Sequence, residues 1–109
     1  MQRLFVYGSL QPGGPNEHVL SGVDGRWQRA SVRGRLVQEG WGADLGYPGL
    51  VLDDAADAVP GSVLSSEELT AKWPDLDDFE GEGYERVSAR VQTESGDTVT
   101  AQLYVLRRH

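Results

Sequence analysis

The segment LDDFEGEGYER, residues 76–86, joins the one convincing helix of this sequence to its final strands. Before Glu80, apolar residues follow one another at intervals of four, three and three residues, so they share one face of a helix. The members of that face are Leu69, Trp73, Leu76 and Phe79. Gly81 and Gly83 then supply the residue type that commonly ends a helix. The segment therefore predicts a short amphipathic helix that stops just after Glu80 and is followed by a strand.

The start of this helix is indicated by a serine and a glutamate. Ser65 and Glu68 have the spacing of a capping box, in which the two side chains satisfy free backbone N–H groups. Pro74 lies within the same stretch, and a proline inside a helix removes a backbone hydrogen bond and clashes with the preceding turn. We therefore expect the helix to begin after Leu64, with Ser65 as its cap, and to kink or break near Trp73.

The rest of the chain has the pattern of short strands separated by glycine and proline turns. Alternating apolar residues at 87–91 and 99–105 flank the turn Glu94–Asp97 and predict a hairpin. Earlier strands are expected at Arg3–Leu10, Arg26–Gln38, Leu50–Leu52 and Gly61–Leu64. This pattern favours an α+β fold, a small barrel-like β-sheet with one or two short helices packed on it. The length of 109 residues fits one domain, residues 1–109.

The composition excludes several classes of function. Cysteine is absent, which excludes disulfides, zinc–thiolate sites and cysteine nucleophiles, and the two histidines are far apart. The net charge of −7 opposes binding to phosphate backbones and anionic lipid, so neither nucleic acid nor membrane is an expected partner. The apolar run at 4–7 is too short for a signal peptide or a membrane span. We therefore expect a cytoplasmic protein.

The first candidate site is the segment Tyr7-Gly8-Ser9-Leu10, where a strand opens into a glycine- and proline-rich loop. Glycine allows a ligand to approach the backbone closely, because no Cβ blocks it. Successive free N–H groups in such a turn can hold a carboxylate or a developing oxyanion. A strand end with a buried tyrosine would give the same pattern. A nucleophilic role for Ser9 is rejected, because His18 is the only internal histidine that could serve as its base.

The second candidate site is Glu80 at the end of the predicted helix. Residues 76–86 contain five carboxylate residues, and helical spacing turns Asp77 and Asp78 toward water while Phe79 faces the core. A carboxylate beside a core residue can be partly desolvated, which raises its pKa toward the range of a general base. The alternative is a surface charge at the end of a helix.

The two segments together resemble the signatures of the gamma-glutamylcyclotransferase-like family. Tyr7–Leu10 is similar to the family's loop after the first strand. The run 76–81, followed by Tyr84 and Arg86, is similar to its second signature, especially in the gamma-glutamylamine cyclotransferase branch. The resemblance extends from Arg3 to about Val105, although the chain is short for the family and Gln11 stands where a basic residue is frequent.

The resemblance implies a small mixed β-barrel with a pocket at one end. It implies that backbone N–H groups of Tyr7, Gly8, Ser9 and Leu10 hold a gamma-glutamyl group and that Glu80 is the catalytic acid and base. In the family reaction the substrate's own α-amine attacks its γ-carbonyl, which releases 5-oxoproline and an amine. The reaction needs no cofactor and no metal. The expected partner is a small gamma-glutamyl substrate, and the chain is expected to be a monomer or a weak homodimer.

Three further side chains are candidates for the substrate-binding wall. Tyr84 and Arg86 share one face of a strand, where Arg86 could orient Glu80 or a substrate carboxylate, or simply form an ion pair. Tyr104 is expected on the non-core face of its strand by alternation with Leu103, with its hydroxyl toward the pocket or over the barrel. Two other functions remain open at this stage. One is a non-catalytic domain that binds a carboxylate metabolite, and the other is a relative that removes a gamma-glutamyl protecting group.

Overall fold

The computed structural model describes residues 2–8, 11–14, 17–20, 22–37 and 49–107. Its elements are β1 (Gln2–Val6), a 3-10 turn (Glu17–Val19), β2 (Arg26–Val37), β3 (Gly49–Leu52), β4 (Ala58–Ser66), α1 (Leu69–Glu80), β5 (Tyr84–Thr93) and β6 (Thr98–Leu106). The final hairpin and its turn are as predicted, whereas the first strand stops at Val6, earlier than the expected end at Leu10. Among the described residues no helix is long and apolar enough to cross a membrane.

The strands close into a small mixed barrel. Five of them follow one another in the order β2, β4, β1, β6, β5, and the ring closes where β2 pairs with β5 through Ala30 and Ser31. β1 and β6 are parallel neighbours, while the other pairs are antiparallel. Strand β3 extends the sheet beside the second half of β2. The predicted α+β fold, a small barrel with a short helix on it, is confirmed.

Both faces of the sheet are buried in the last four residues of β6. Leu103 and Val105 belong to a cluster formed by side chains from all six strands, whereas Tyr104 and Leu106 pack with the helix on the other face. The expectation that Tyr104 lies on a non-core face is therefore wrong, since only 4% of it is exposed. Alternation separates the two faces of a strand correctly, but it does not show that a helix will cover the second one.

The helix begins later than its serine signal suggests. Ser65 lies inside β4, where it is paired with Arg3 and Arg26, so the expected capping box is wrong. The next residue takes part of that role, because Ser66 Oγ accepts a hydrogen bond from Glu68 N–H at 3.1 Å. Ser65 belongs to the strand because pairing with a strand on each side satisfies its backbone hydrogen-bonding groups.

Helix α1 runs without interruption through Pro74, so the expected break does not occur. A proline removes the single N–H bond of its own position. Trp73 and Leu76, on either side of it, are buried against the barrel together with Leu69, and Phe79 packs against the same cluster. The predicted apolar face is confirmed, and its burial on both sides of Pro74 keeps the helix continuous.

Glycine ends the helix at the position that the sequence indicates. Gly81 has φ of 80°, a region that favours glycine, and its N–H donates to the carbonyl of Asp77 at 3.0 Å. Glu80 is therefore the last helical residue. Because β1 and β6 run parallel and Tyr84 pairs with Leu106, the ends of β1 and β6, the start of β5 and the end of α1 meet at one end of the barrel.

The closest backbone approach in the barrel is at Gly61, which predicts a large loss of stability on substitution. A Cβ at this position would overlap the carbonyl oxygen of Val6 and stand 2.6 Å from Cζ of Phe5. Gly61→Ala is expected to lower the free energy of unfolding by about 1–3 kcal/mol, as for other overpacked cores. Urea denaturation measures this loss, with Gly22→Ala as a matched control because a Cβ at Gly22 would meet nothing within 4 Å. Equal stability of the two variants would contradict the crowding at Gly61.

Candidate active site

Glu80 occupies a partly dehydrated position at this end of the barrel. It is the last residue of α1 and is half-buried beside Phe79, which packs on the core. Burial raises the pKa of the Glu80 carboxyl from the usual 4.5 to about 7. Desolvation penalises the charged form of a carboxylic acid, so such a group exchanges its proton near neutral pH. Its position and its acidity are those of a general acid or base.

Tyr7, at the same end of the barrel, connects the end of β1 to β3 and β6. Its hydroxyl donates to the carbonyl of Tyr104 at 2.8 Å and accepts from the N–H of Leu50 at 3.1 Å. Burial raises the pKa of Tyr7, and the negative charge of Glu80 raises it further, so the two side chains are within electrostatic reach. Tyr7 therefore stays a neutral hydroxyl at neutral pH and fixes the end of β1 against β3 and β6.

A second set of polar contacts joins the barrel to the last turns of α1. The hydroxyl of Tyr104 donates to Asp77 Oδ1 at 2.6 Å, and Arg86 Nε lies 3.1 Å from the same oxygen. The Arg86 guanidinium also covers the ring of Trp73, 4.6 Å from its centroid. Burial raises the pKa of Tyr104, and its hydrogen bond to Asp77 raises it further. The set links α1, β5 and β6 through neighbouring side chains.

Tyr84, Arg86 and Tyr104 line one open cleft of about 460 Å³ beside the helix end. Asp77, Gly81, Glu85, Gln102 and Arg107 complete its wall. Arg107 donates to the carbonyls of Glu82 and Tyr84 at 3.0 and 3.3 Å, so it fastens the segment that follows Glu80. The structure thus brings these three predicted residues together, while their binding of substrate stays a prediction.

The predicted backbone cradle is described only in part. Gly8 directly follows Tyr7, and its carbonyl accepts the N–H of Gln11 at 3.2 Å. Ser9 and Leu10 lie outside the described residues. The binding of a gamma-glutamyl group by the N–H groups of this loop stays a prediction. His18, in the short 3-10 turn, is exposed.

Asp77 is the site residue that sequence reasoning missed. Helical spacing assigned it to water, and 45% of its side chain is indeed exposed, yet both of its oxygens are engaged by Tyr104 and Arg86. The sequence did contain one indication that Asp77 belongs to the site. Asp77 and Glu80 are three residues apart, so they occupy neighbouring positions on one face of the helix. Its partners could not be read from the sequence, since they depend on how the helix crosses the barrel.

The described part of the chain holds no group of three or more histidine, cysteine, aspartate or glutamate residues arranged to bind a metal ion. Tyr7, Glu80 and Tyr104 carry clear pKa shifts, and all three lie at one end of the barrel. Perturbed acidities of this kind concentrate at functional sites. Together with the fold, they define a class: a small mixed β-barrel with one dehydrated carboxyl group at the end of its helix.

Comparison with known proteins identifies the family. The profile of the family described as gamma-glutamyl cyclotransferase, AIG2-like, matches residues 4–109, so the chain belongs to that family. A Niallia circulans protein named gamma-L-glutamyl-butirosin B gamma-glutamyl cyclotransferase is 33% identical over 114 residues. That alignment covers 99% of this chain and 69% of the relative. The resemblance expected from the two signatures is confirmed.

Solved structures share the fold. An AIG2-like protein from Mus musculus matches with a TM-score of 0.74 and 29% identity, over 100% of this chain and 79% of that one. The Bacillus subtilis protein YkqA matches with a TM-score of 0.73 and 27% identity, over 97% of this chain. The match covers 36% of YkqA, so this chain spans about a third of that protein. The small mixed barrel is therefore an architecture that this family shares.

Proposed function

We propose that the protein is a gamma-glutamyl cyclotransferase that releases 5-oxoproline and an amine, with Glu80 as its general acid and base. The observation that carries the proposal is the half-buried Glu80, whose pKa is raised to about 7, at the barrel end that also holds Tyr7. A carboxyl group of this acidity is suited to accept and return a proton at neutral pH. Family membership and the name of the Niallia circulans relative support the same chemistry.

The proposed reaction needs one proton carrier. The substrate's α-ammonium gives a proton to the Glu80 carboxylate, and the free amine attacks the γ-carbonyl carbon to form a new C–N bond. The bond from that carbon to the leaving nitrogen then breaks as Glu80 returns this proton to the leaving nitrogen. The ring nitrogen next gives its second proton to Glu80, which passes it to the released amine, so the products are neutral 5-oxoproline and an ammonium. Both nitrogens flank the same carbon, so one carboxyl group can reach each in turn. Atoms and charge balance without water or a covalent enzyme intermediate.

Positioning supplies the rest of the proposed catalysis. Ring closure within one molecule requires a bent substrate, and holding reacting atoms in place can supply several kcal/mol, up to about 7–11 kcal/mol in well-oriented systems. The backbone N–H groups from Tyr7 to Leu10 are proposed to hold the gamma-glutamyl end. The cleft wall formed by Tyr84, Arg86 and Tyr104 is proposed to face the bound substrate.

The amine released is proposed to belong to a larger gamma-glutamyl conjugate. The supporting observation is the name of the Niallia circulans relative. That name gives gamma-L-glutamyl-butirosin B as the compound on which the gamma-glutamyl cyclotransferase acts. A domain that only binds a carboxylate metabolite is the competing function. The dehydrated Glu80 argues against this function, because the carboxylate of Glu80 would repel the carboxylate of a bound metabolite.

The direct test is release of 5-oxoproline from a panel of gamma-glutamyl compounds. The panel contains glutathione, gamma-glutamyl amino acids, gamma-glutamyl-lysine and gamma-glutamyl amines, with the α-N-acetyl form of each as a control that cannot cyclise. Turnover of any free-amine compound and none of its acetyl form is the expected result. No turnover of any compound, together with binding of 5-oxoproline or a glutamate analogue, would overturn the proposal in favour of the binding domain.

The pH dependence of turnover follows from the acidity of Glu80. The carboxylate is the active form, and it is lost as pH falls through the pKa of about 7. We therefore expect kcat/KM to be low in acid and to rise through an inflection near pH 7, since this parameter reports the free enzyme. Initial rates measured from acid to mildly alkaline pH locate the inflection. An inflection near the ordinary 4.5 of a glutamate would contradict the assignment.

A further inference from the structure

Tyr104 contacts both halves of the candidate site. Its backbone carbonyl accepts the Tyr7 hydroxyl at 2.8 Å, and its own hydroxyl donates to Asp77 at 2.6 Å. One residue of β6 therefore connects the end of β1 to the last turns of α1. Only 4% of Tyr104 is exposed, so its own side of both contacts is shielded from water.

Asp77 fixes the segment of helix that carries Glu80. Its side chain is held by Tyr104 and Arg86, while its backbone carbonyl accepts the N–H of Gly81 at 3.0 Å, which closes the helix. Glu80 lies between these two attachment points, one turn after Asp77. A shift of the Asp77 side chain would therefore be passed directly to the carboxyl group of Glu80.

The contacts of Arg86 orient the Asp77 carboxylate and contribute little to the stability of the fold. The guanidinium reaches both oxygens of Asp77, at 3.1 and 3.4 Å, and lies over the Trp73 ring. Side chains of Arg86 and Asp77 are 29% and 45% exposed, and ion pairs in such settings contribute little to folding. A two-point contact held by an aromatic ring does, however, fix the orientation of a carboxylate.

We propose that Tyr104, Asp77 and Arg86 form a positioning unit that holds the last turn of α1, and with it Glu80, in its catalytic orientation. This inference rests on the proposed function, and it gives Tyr104 and Arg86 a second role beside their place in the cleft wall. Tyr104 and Asp77 act through Glu80 and need not touch the substrate. Their loss lets the helix end move outward and admits water to Glu80.

The test begins with Tyr104→Phe, which removes one hydroxyl while the ring and the backbone carbonyl used by Tyr7 remain. We expect kcat to fall by on the order of tenfold to a hundredfold, as for other small misplacements of catalytic groups, with KM nearly unchanged. The inflection of the pH profile shifts toward lower pH because Glu80 is more hydrated. Asp78→Asn is the matched control, since Asp78 is an exposed carboxylate on the same helix.

Other outcomes would overturn the inference. A raised KM with an unchanged kcat would show that Tyr104 binds substrate, and unchanged kinetics with a lower thermal midpoint would show a structural role alone. Asp77→Ala removes the acceptor at a half-exposed position, where truncation leaves no cavity. Asp77→Ala is expected to lose at least as much activity as Tyr104→Phe, because it removes the Arg86 contacts as well. The double variant is expected to be no worse than Asp77→Ala, because the Tyr104 hydroxyl then has no bond to Asp77 left to lose. Additive losses in the double variant would contradict the unit.

The inference can fail separately from the proposed function. A ¹³C NMR titration of the Glu80 carboxyl in the wild type and in Tyr104→Phe requires no substrate. Among the described residues, the charge of Glu80 acts on Tyr7, which follows β1, and on Tyr104 of β6, and Tyr104 also interacts with Asp77 and Arg86. A lower midpoint in Tyr104→Phe supports the positioning unit even if no panel compound is turned over. Identical midpoints would refute it even if turnover is found.

Discussion

Replacing Glu80 by glutamine is expected to lower the rate of 5-oxoproline formation by about 10²- to 10⁴-fold. Glutamine keeps the size and polarity of the side chain but neither accepts nor returns a proton. The α-ammonium of the substrate would then have to lose its proton to solvent before ring closure. KM is expected to change little, because the exchange removes a charge that acts on the moving proton. Steady-state rates at about neutral pH, on any compound that the wild type converts, measure the effect.

The matched control for this experiment is Glu82→Gln. Glu82 lies two residues further along the chain, is exposed, and carries the same formal charge. It is expected to retain the wild-type rate, so a loss confined to Glu80→Gln cannot be attributed to the overall charge of the segment. Retained turnover in a folded Glu80→Gln variant would contradict the mechanism and assign the proton transfer to another group.

The same substitution is expected to stabilise the fold in alkaline solution. A pKa of about 7 in the folded protein, against 4.5 for an ordinary glutamate, means that the folded state binds the proton more tightly. The stability from this group is therefore complete below pH 4.5 and is lost as pH rises through 7. Glutamine has no proton to lose. Glu80→Gln should exceed the wild type by up to about 3 kcal/mol above that range and by little below it.

Urea denaturation of both proteins at about pH 4 and about pH 8 measures this difference in the free energy of unfolding. A difference that is larger at the higher pH is the result expected from the raised pKa of Glu80. Other carboxyl groups are common to the two proteins, so their contributions cancel in the comparison. A difference that is the same at both pH values would show that the substitution changes packing alone. A variant that is less stable than the wild type at the higher pH would contradict the dehydrated position of Glu80.

The barrel and its helix could be predicted because their signals are local. The alternation in residues 87–105, interrupted by the turn Glu94–Asp97, gives the hairpin, and the spacing of Leu69, Trp73 and Leu76 gives the buried helix face. Gly81 ends the helix where its sequence position indicates, which leaves Glu80 as the last helical residue. These features depend on neighbours in sequence and on the periods of helix and strand.

The errors arose where a local signal competed with distant partners. Ser65 has the spacing of a cap, but two strands that are remote in sequence pair with it. Pro74 signals a break, but buried side chains on both sides keep the helix continuous. Tyr104 alternates with a core residue, but α1 covers the other face of its strand. In each case tertiary packing outweighed a preference that costs at most a few kcal/mol.

The candidate site was predictable in its chemistry and less so in its connections. Glu80 could be singled out because a helix end beside Phe79 is a position where a carboxyl group loses water. The bond from Tyr104 to Asp77 could not, since it depends on the angle at which the helix crosses β6. The bond from Tyr7 to the Tyr104 carbonyl depends likewise on the parallel pairing of β1 with β6.

The most direct test of the proposed role of Glu80 is a ¹³C NMR titration of its carboxyl carbon in the free wild-type protein, assigned with Glu80→Gln. The measurement requires no knowledge of the substrate and reports the acidity of the group itself. A midpoint near 7 is the expected result, and it would establish a carboxyl group that exchanges its proton at neutral pH. A midpoint near the ordinary 4.5 would contradict the dehydrated site and leave Glu80 as a hydrated charge at the end of a helix.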